Sequence, residues 1–133
     1  MVERFDIDNI CKGAYKVGKL NSEIIELLGL KIPESDILIG ADKIVYTQKH
    51  KHKFEDSAQY KKCIEATPDI INNPDYVGVH PNGQSIEYIK TIDKTMLLAV
   101  RINSKGSLWV KTVFPITEQK LELYINSGTV KKC

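Results

Sequence analysis

At Tyr76 the spacing of apolar residues changes from helical to alternating, and this switch limits the fold more than any other feature of the chain. Val77 and Val79 open the alternating half. They lead into His80-Pro81-Asn82-Gly83, where proline second and glycine fourth suit a type I turn. Residues 86–90, 96–102 and 108–114 repeat the alternation, with short connections between them. The spacing predicts a four-stranded antiparallel meander. Pro115 stops the last strand, Thr117 caps a final helix to about Asn126, and Gly128 ends it.

Ahead of Tyr76 the signals are helical. Asn21 or Ser22 can cap a helix that Gly29 ends, and Ile24, Ile25, Leu27 and Leu28 form its apolar stripe. Ile37-Leu38-Ile39 reads as a short strand broken by Gly40. Residues 42–54 read as a helix with Asp42 as N-cap, and Asp56 with Gln59 resembles a capping box for the next. Thr67 then caps a short helix with proline in its first turn, and Asn73-Pro74 closes it. The first dozen residues carry no clear period, so residues 1–14 are taken as an N-terminal extension. The expected whole is one α+β domain over 1–133: N-terminal helices packed on a four-stranded meander, with a C-terminal helix.

Several classes are excluded early. No apolar run approaches the roughly 20 residues of a membrane helix, and the start lacks the basic-then-apolar pattern of a secretory signal. Cys11, Cys63 and Cys133 are too scattered for a zinc motif, so reduced thiols in a cytosolic protein are expected. No phosphate-binding glycine loop, HExxH or serine-hydrolase elbow is present. The net charge of +2 is small, but Lys43, Lys49, Lys51 and Lys53 cluster around His50 and His52, and Lys131 and Lys132 lie near the end. Such a local field attracts phosphate.

The hairpin between the last two strands can be taken further. Asn103-Ser104-Lys105-Gly106 suits a three-residue loop with glycine in the left-handed region. That register pairs Asn103 with Ser107, Arg101 with Trp109 and Ala99 with Lys111. It sends Leu98, Val100, Ile102, Leu108 and Val110 to the core and Arg101, Trp109 and Lys111 to the other face. Thr112 then points toward the core. A two-residue loop would exchange the faces.

These residue types fit RNA cleavage without a metal. RNA carries its own nucleophile, the 2′-hydroxyl. A protein need only move protons, for which histidine is suited, and stabilise the charged phosphorane, for which arginine and lysine are suited. Aromatic rings can stack on unpaired bases. His50 and His52 are about 200° apart around an α-helix, so only one can enter a given cleft. His52 shares a stripe with Val45, Gln48 and Lys49, and His50 with Tyr46 and Lys53. The plainer reading of both is a solvated basic helix face. His80, in a turn before proline, reads as structural or exposed. Glu87 and Lys90 read as a surface pair.

Val17-Gly18-Lys19-Leu20, the segments 24–30, 70–77, 85–90 and 98–102, and the run 108–117 form an ordered set. Together, over roughly residues 15–130, they resemble the phage-associated branch of the Barnase–EndoU–colicin–RelE-like nuclease superfamily. The resemblance implies a metal-independent ribonuclease with no cofactor, cutting on the open face of a small antiparallel sheet. It implies His50 or His52 as acid or base, Arg101 and Lys111 as phosphate contacts, and Thr112 as a hydroxyl partner. Lys49, Lys53, Glu87, Tyr88 and Trp109 are the expected RNA contacts. The expected partners are single-stranded RNA or a tRNA loop and an immunity or antitoxin protein, in a host or target cytosol and away from membranes. The chain departs from the family in two places. Val45, Tyr46 and Thr47 stand where the helix would carry a second histidine, and Lys111 stands where an arginine is expected. The alternative is a catalytically inactive RNA- or protein-binding module on the same fold.

Overall fold

The computed structural model describes residues 2–11, 13–103 and 106–133. Its strands are β1 (Ala14–Leu20), β2 (Ser35–Gly40), β3 (Tyr76–Val79), β4 (Ser85–Thr91), β5 (Thr95–Arg101), β6 (Leu108–Pro115) and β7 (Val130–Lys132). Its α-helices are α1 (Ser22–Leu28), α2 (Ala41–Tyr46), α3 (Ser57–Glu65), α4 (Thr67–Asn72) and α5 (Glu118–Asn126), with a 3-10 helix, η1, over Thr47–Lys53.

The fold is α+β, with one sheet of seven strands in the order β1-β2-β6-β5-β4-β3-β7. The meander of β3 to β6 is present but forms only its middle. β2 adds to β6 in parallel, β1 pairs antiparallel with β2, and β7 pairs with β3. The four-stranded expectation is therefore corrected. β1 carries a register shift between Lys16 and Gly18, which breaks the alternation that would mark a strand. β7 has only three residues and owes its strand geometry to a partner distant in sequence.

Local chemistry accounts for most element ends. The Asn21 side chain accepts the Ile24 amide, that of Asp56 the Gln59 amide, and that of Thr117 the Lys120 amide. Gly29 takes the left-handed conformation, φ 65°, that ends α1. Two expected caps fail. The N-cap of α2 is Gly40, and Asp42 lies inside its first turn. Thr67 is the first residue of α4, and its hydroxyl donates to the Ile64 carbonyl at 2.7 Å.

The long helix expected over 42–54 is also corrected, with consequences for the site. After Tyr46 the α-helix tightens into η1. Thr47 donates to the Ile44 carbonyl at 2.6 Å and bonds the Tyr60 hydroxyl at 2.8 Å. Threonine back-bonding of this kind competes with the i→i+4 ladder.

Apolar residues pack on both sides of the sheet. On one side Val77, Ile86, Tyr88, Leu98, Val100 and Val110 meet Ile24, Ile44, Phe54, Ile64 and Ile70 from the helical half, forming the main core. On the other, Ile89, Leu97 and Ala99 meet Leu121 of α5, with Phe114, Ile116 and Tyr124 at the margin. α5 thus covers part of the outer face and leaves the part bearing Arg101, Trp109 and Lys111 exposed. The N-terminal residues pack onto the body: Phe5 is buried, Arg4 pairs with Asp69 at 2.7 Å, and Lys61 holds Asp6 at 2.7 Å.

Candidate active site

Strand pairing arranges the outer face in rows. Ser85, Arg101 and Trp109 lie side by side. The next row is Gly78, Glu87, Ala99 and Thr112, and the next Tyr76, Ile89, Leu97 and Phe114. Rows two residues apart are separated by roughly 6.6 Å.

The expected pairing of Arg101 with Trp109 is observed, and Gly106 is left-handed at φ 73°. Ser104 and Lys105 of that loop lie outside the described residues. The pairing of Ala99 with Lys111 is corrected. The register shifts between Ala99 and Val100, so Ala99 faces Thr112 and Lys111 is the extra residue of a β-bulge. Val110 and Val113 both enter the main core, so two residues stand between consecutive inward positions where alternation allows one. Thr112 consequently lies on the outer face, half-buried, and not in the core as expected. The bulge gathers an ammonium and a hydroxyl beside the row that carries Ala99.

η1 packs against β6. A 3-10 helix turns every three residues, so Thr47, His50 and Lys53 share one side. Thr47 is buried, His50 is half-buried, and Lys53 lies over the Phe114 ring at 5.8 Å. The His50 ring stacks on Phe114 with centroids 5.5 Å apart and planes 28° apart. His52 falls on another side and is exposed. Burial lowers the His50 pKa, and the nearby charges of Lys53, Lys49 and His52 lower it further. Both effects favour the neutral imidazole. Lys49 is turned to Tyr46, donating to its hydroxyl at 2.6 Å with the ammonium 4.0 Å from the ring centroid.

His50, Phe114, Thr112, Lys111, Trp109 and Arg101 thus follow one another across a single surface. Leu97, opposite Phe114, and Arg101, opposite Trp109, are four residues apart, roughly 13 Å along a strand. Arg101 and Lys111 are exposed, and among the described residues neither is drawn into an ion pair. Trp109, 45% exposed, offers its ring to solvent beside Arg101.

Two expected RNA contacts are placed differently. Tyr88 is fully buried in the main core on the opposite face, so it cannot stack on a base. Burial pushes its phenol pKa well up, and its hydroxyl has no hydrogen-bond partner among the described residues. Glu87 faces the correct side but is only 4% exposed beneath α5, and its Oε1 has no partner among the described residues. It does not pair with Lys90, which reaches Asp75 at 3.6 Å. Burial raises the Glu87 pKa, partly offset by the charges of His80 and Lys120, while Glu87 in turn raises that of Tyr124, already lifted by burial.

His80, Lys120, Tyr124 and Phe114 therefore belong to this neighbourhood, although sequence spacing singled out none of them for it. His80 is exposed in its turn, where Nδ1 accepts the Asn82 amide at 3.1 Å. The available signal was the stripe Leu121/Tyr124 on α5, which shows that the helix packs but not on what. Among the described residues no three His, Cys, Asp or Glu side chains form a group able to hold a metal ion. The three cysteines are free, with Cys63 buried and Cys11 and Cys133 exposed.

A family model described as phage-Barnase-EndoU-ColicinE5/D-RelE like nuclease3 matches residues 15–123. The chain belongs to this nuclease family. Comparison with curated proteins and with solved structures returned no match. Membership in the nuclease family implies a nucleic-acid substrate, and the matched span contains η1, the β6 bulge and the Arg101–Trp109 pair. No helix among the described residues is long and apolar enough to cross a membrane.

Proposed function

We propose that this chain, as one domain over 1–133, is an endoribonuclease that cleaves RNA by 2′-hydroxyl transesterification without a metal ion. The observation that carries the reading is the seating of a half-buried His50 on Phe114, on the same sheet surface as Lys111, Thr112 and Arg101. His50, kept neutral by burial, takes the 2′-hydroxyl proton. The 2′-oxygen bonds to phosphorus and the bond to the 5′-oxygen breaks. The same histidine, now protonated, or water returns a proton to that oxygen. Arg101 and Lys111 neutralise the phosphorane, and the Thr112 hydroxyl donates to a non-bridging oxygen. Trp109 stacks on a base, while Lys49 and Lys53 attract the backbone. His52, exposed on another side of η1, adds to the field only. A phage or mobile-element effector acting in a host or target cytosol, restrained by an immunity protein, fits this activity.

The test is product chemistry. The purified protein in EDTA is expected to cut an RNA oligonucleotide, leave a 2′,3′-cyclic phosphate, and spare the same oligonucleotide with one 2′-deoxy residue at the cut. Cleavage of the deoxy substrate would overturn the mechanism. Salt-sensitive binding with no cleavage would favour the inactive module.

A further inference from the structure

On the far side of Phe114 from His50 the proposed cleavage site adjoins a groove of about 650 Å³, most of whose lining takes no part in the proton transfer. Its floor is Phe114, Pro115 and Ile116, at the margin of the second apolar cluster. Lys53 of η1, Lys94 of the β4–β5 turn and Lys120 of α5 stand around it. Among the described residues none of the three is in an ion pair with a carboxylate. Of the two carboxylates in its lining, Asp93 is held by Lys62 at 2.8 Å, and Glu118 accepts from the Thr95 hydroxyl at 2.9 Å.

We propose that this groove holds the nucleotide next to the scissile phosphate, the Phe114–Ile116 floor taking its base and Lys94 and Lys120 its flanking phosphates. The proposal rests on the ribonuclease reading for the direction of the strand. The groove itself argues for the ligand. A polyanion matches three cations without ionic partners, and an apolar floor suits a flat base, which bare phosphate would not need. The volume lies in the range of small-molecule sites, enough for one nucleotide. Phe114 continues the path, since its ring also carries His50. The hydroxyls of Thr95 and Thr117 are engaged with Glu118 and the Lys120 amide, so the groove recognises a nucleotide by stacking and charge more than by base edges.

The experiment measures affinity of a fluorescent single-stranded oligonucleotide, made uncuttable by 2′-deoxy substitution, across a salt series. Wild type is compared with Lys94→Gln, Lys120→Gln and the double variant, each checked for an unchanged melting temperature. Each substitution is expected to weaken binding about 3- to 10-fold and to flatten the slope of log affinity against log salt by about 0.7, the value for one phosphate contact on a single strand. Ile116→Ala, which removes apolar floor and no charge, is expected to weaken binding with the wild-type slope. Wild-type affinity and slope in the double variant would overturn the groove while leaving cleavage untouched. Weakened binding by a protein that never cuts RNA would uphold the groove and reject the nuclease reading.

Discussion

Burial shifts His50 and Glu87 in opposite directions and in each case favours the neutral form. For His50 it disfavours the imidazolium, and the surrounding lysines do the same. For Glu87 it disfavours the carboxylate, with His80 and Lys120 only partly compensating. The two groups therefore affect stability differently. A folded carboxyl whose pKa is raised holds its proton where the unfolded chain has lost it, so its contribution is full below the ordinary value of 4.5 and lost as pH rises through the folded one. Glu87→Gln, which cannot ionise, is expected to remove that decline. Melting temperature followed from about pH 4 to pH 8 should fall less for the variant than for wild type. Parallel curves would mean that Glu87 ionises without cost, in better contact with His80 and Lys120 than its burial implies. Removing an ionisable group from under α5 also separates its role in packing from any role in RNA contact.

Among the elements, the bulge in β6 decides which side chains reach the outer sheet face. With Lys111 as the extra residue, Thr112 and Phe114 face outward and Val113 inward, which an unbroken strand counted from Trp109 would reverse. Deleting Lys111 therefore has an unusual expected outcome. The strand closes its register, every later residue keeps its face, and the melting temperature moves by less than about 5 °C. If the proposed ribonuclease chemistry holds, RNA cleavage falls roughly 100-fold, because the phosphate contact assigned to Lys111 is gone. Unfolding of the deletion variant would show that no bulge sits there. Sequence spacing had revealed the meander, α1 with Asn21 or Ser22 as its cap, α3, α5 and the Arg101–Trp109 pair, all set by turn chemistry and local periodicity. The bulge was hidden because Trp109-Val110-Lys111-Thr112-Val113-Phe114 alternates well enough as a regular strand until Val113 is required in the core. η1 was hidden because Thr47 looks helical until its hydroxyl finds Ile44 and Tyr60. Read as an α-helix, that segment left His50 and His52 equivalent; the 3-10 turn separates them.

For the molecule as a whole, seven strands give a sheet with one face buried under helices and the other divided between α5 and solvent. No local signal announced the edge strands β1 and β7, whereas β2 was legible as the apolar run Ile37-Leu38-Ile39 but not its parallel place beside β6. Their effect on function is indirect but decisive. β2 leads through α2 into η1, and its parallel pairing with β6 brings η1 against β6, where His50 reaches Phe114. The central claim is that this one histidine does the proton transfer, and single-turnover cleavage of RNA in EDTA by His50→Ala and His52→Ala tests it most directly. Cleavage is expected to fall at least ~100-fold in His50→Ala and to change no more than a few-fold in His52→Ala. Wild-type cleavage by His50→Ala, or an equal loss in both variants, would contradict it.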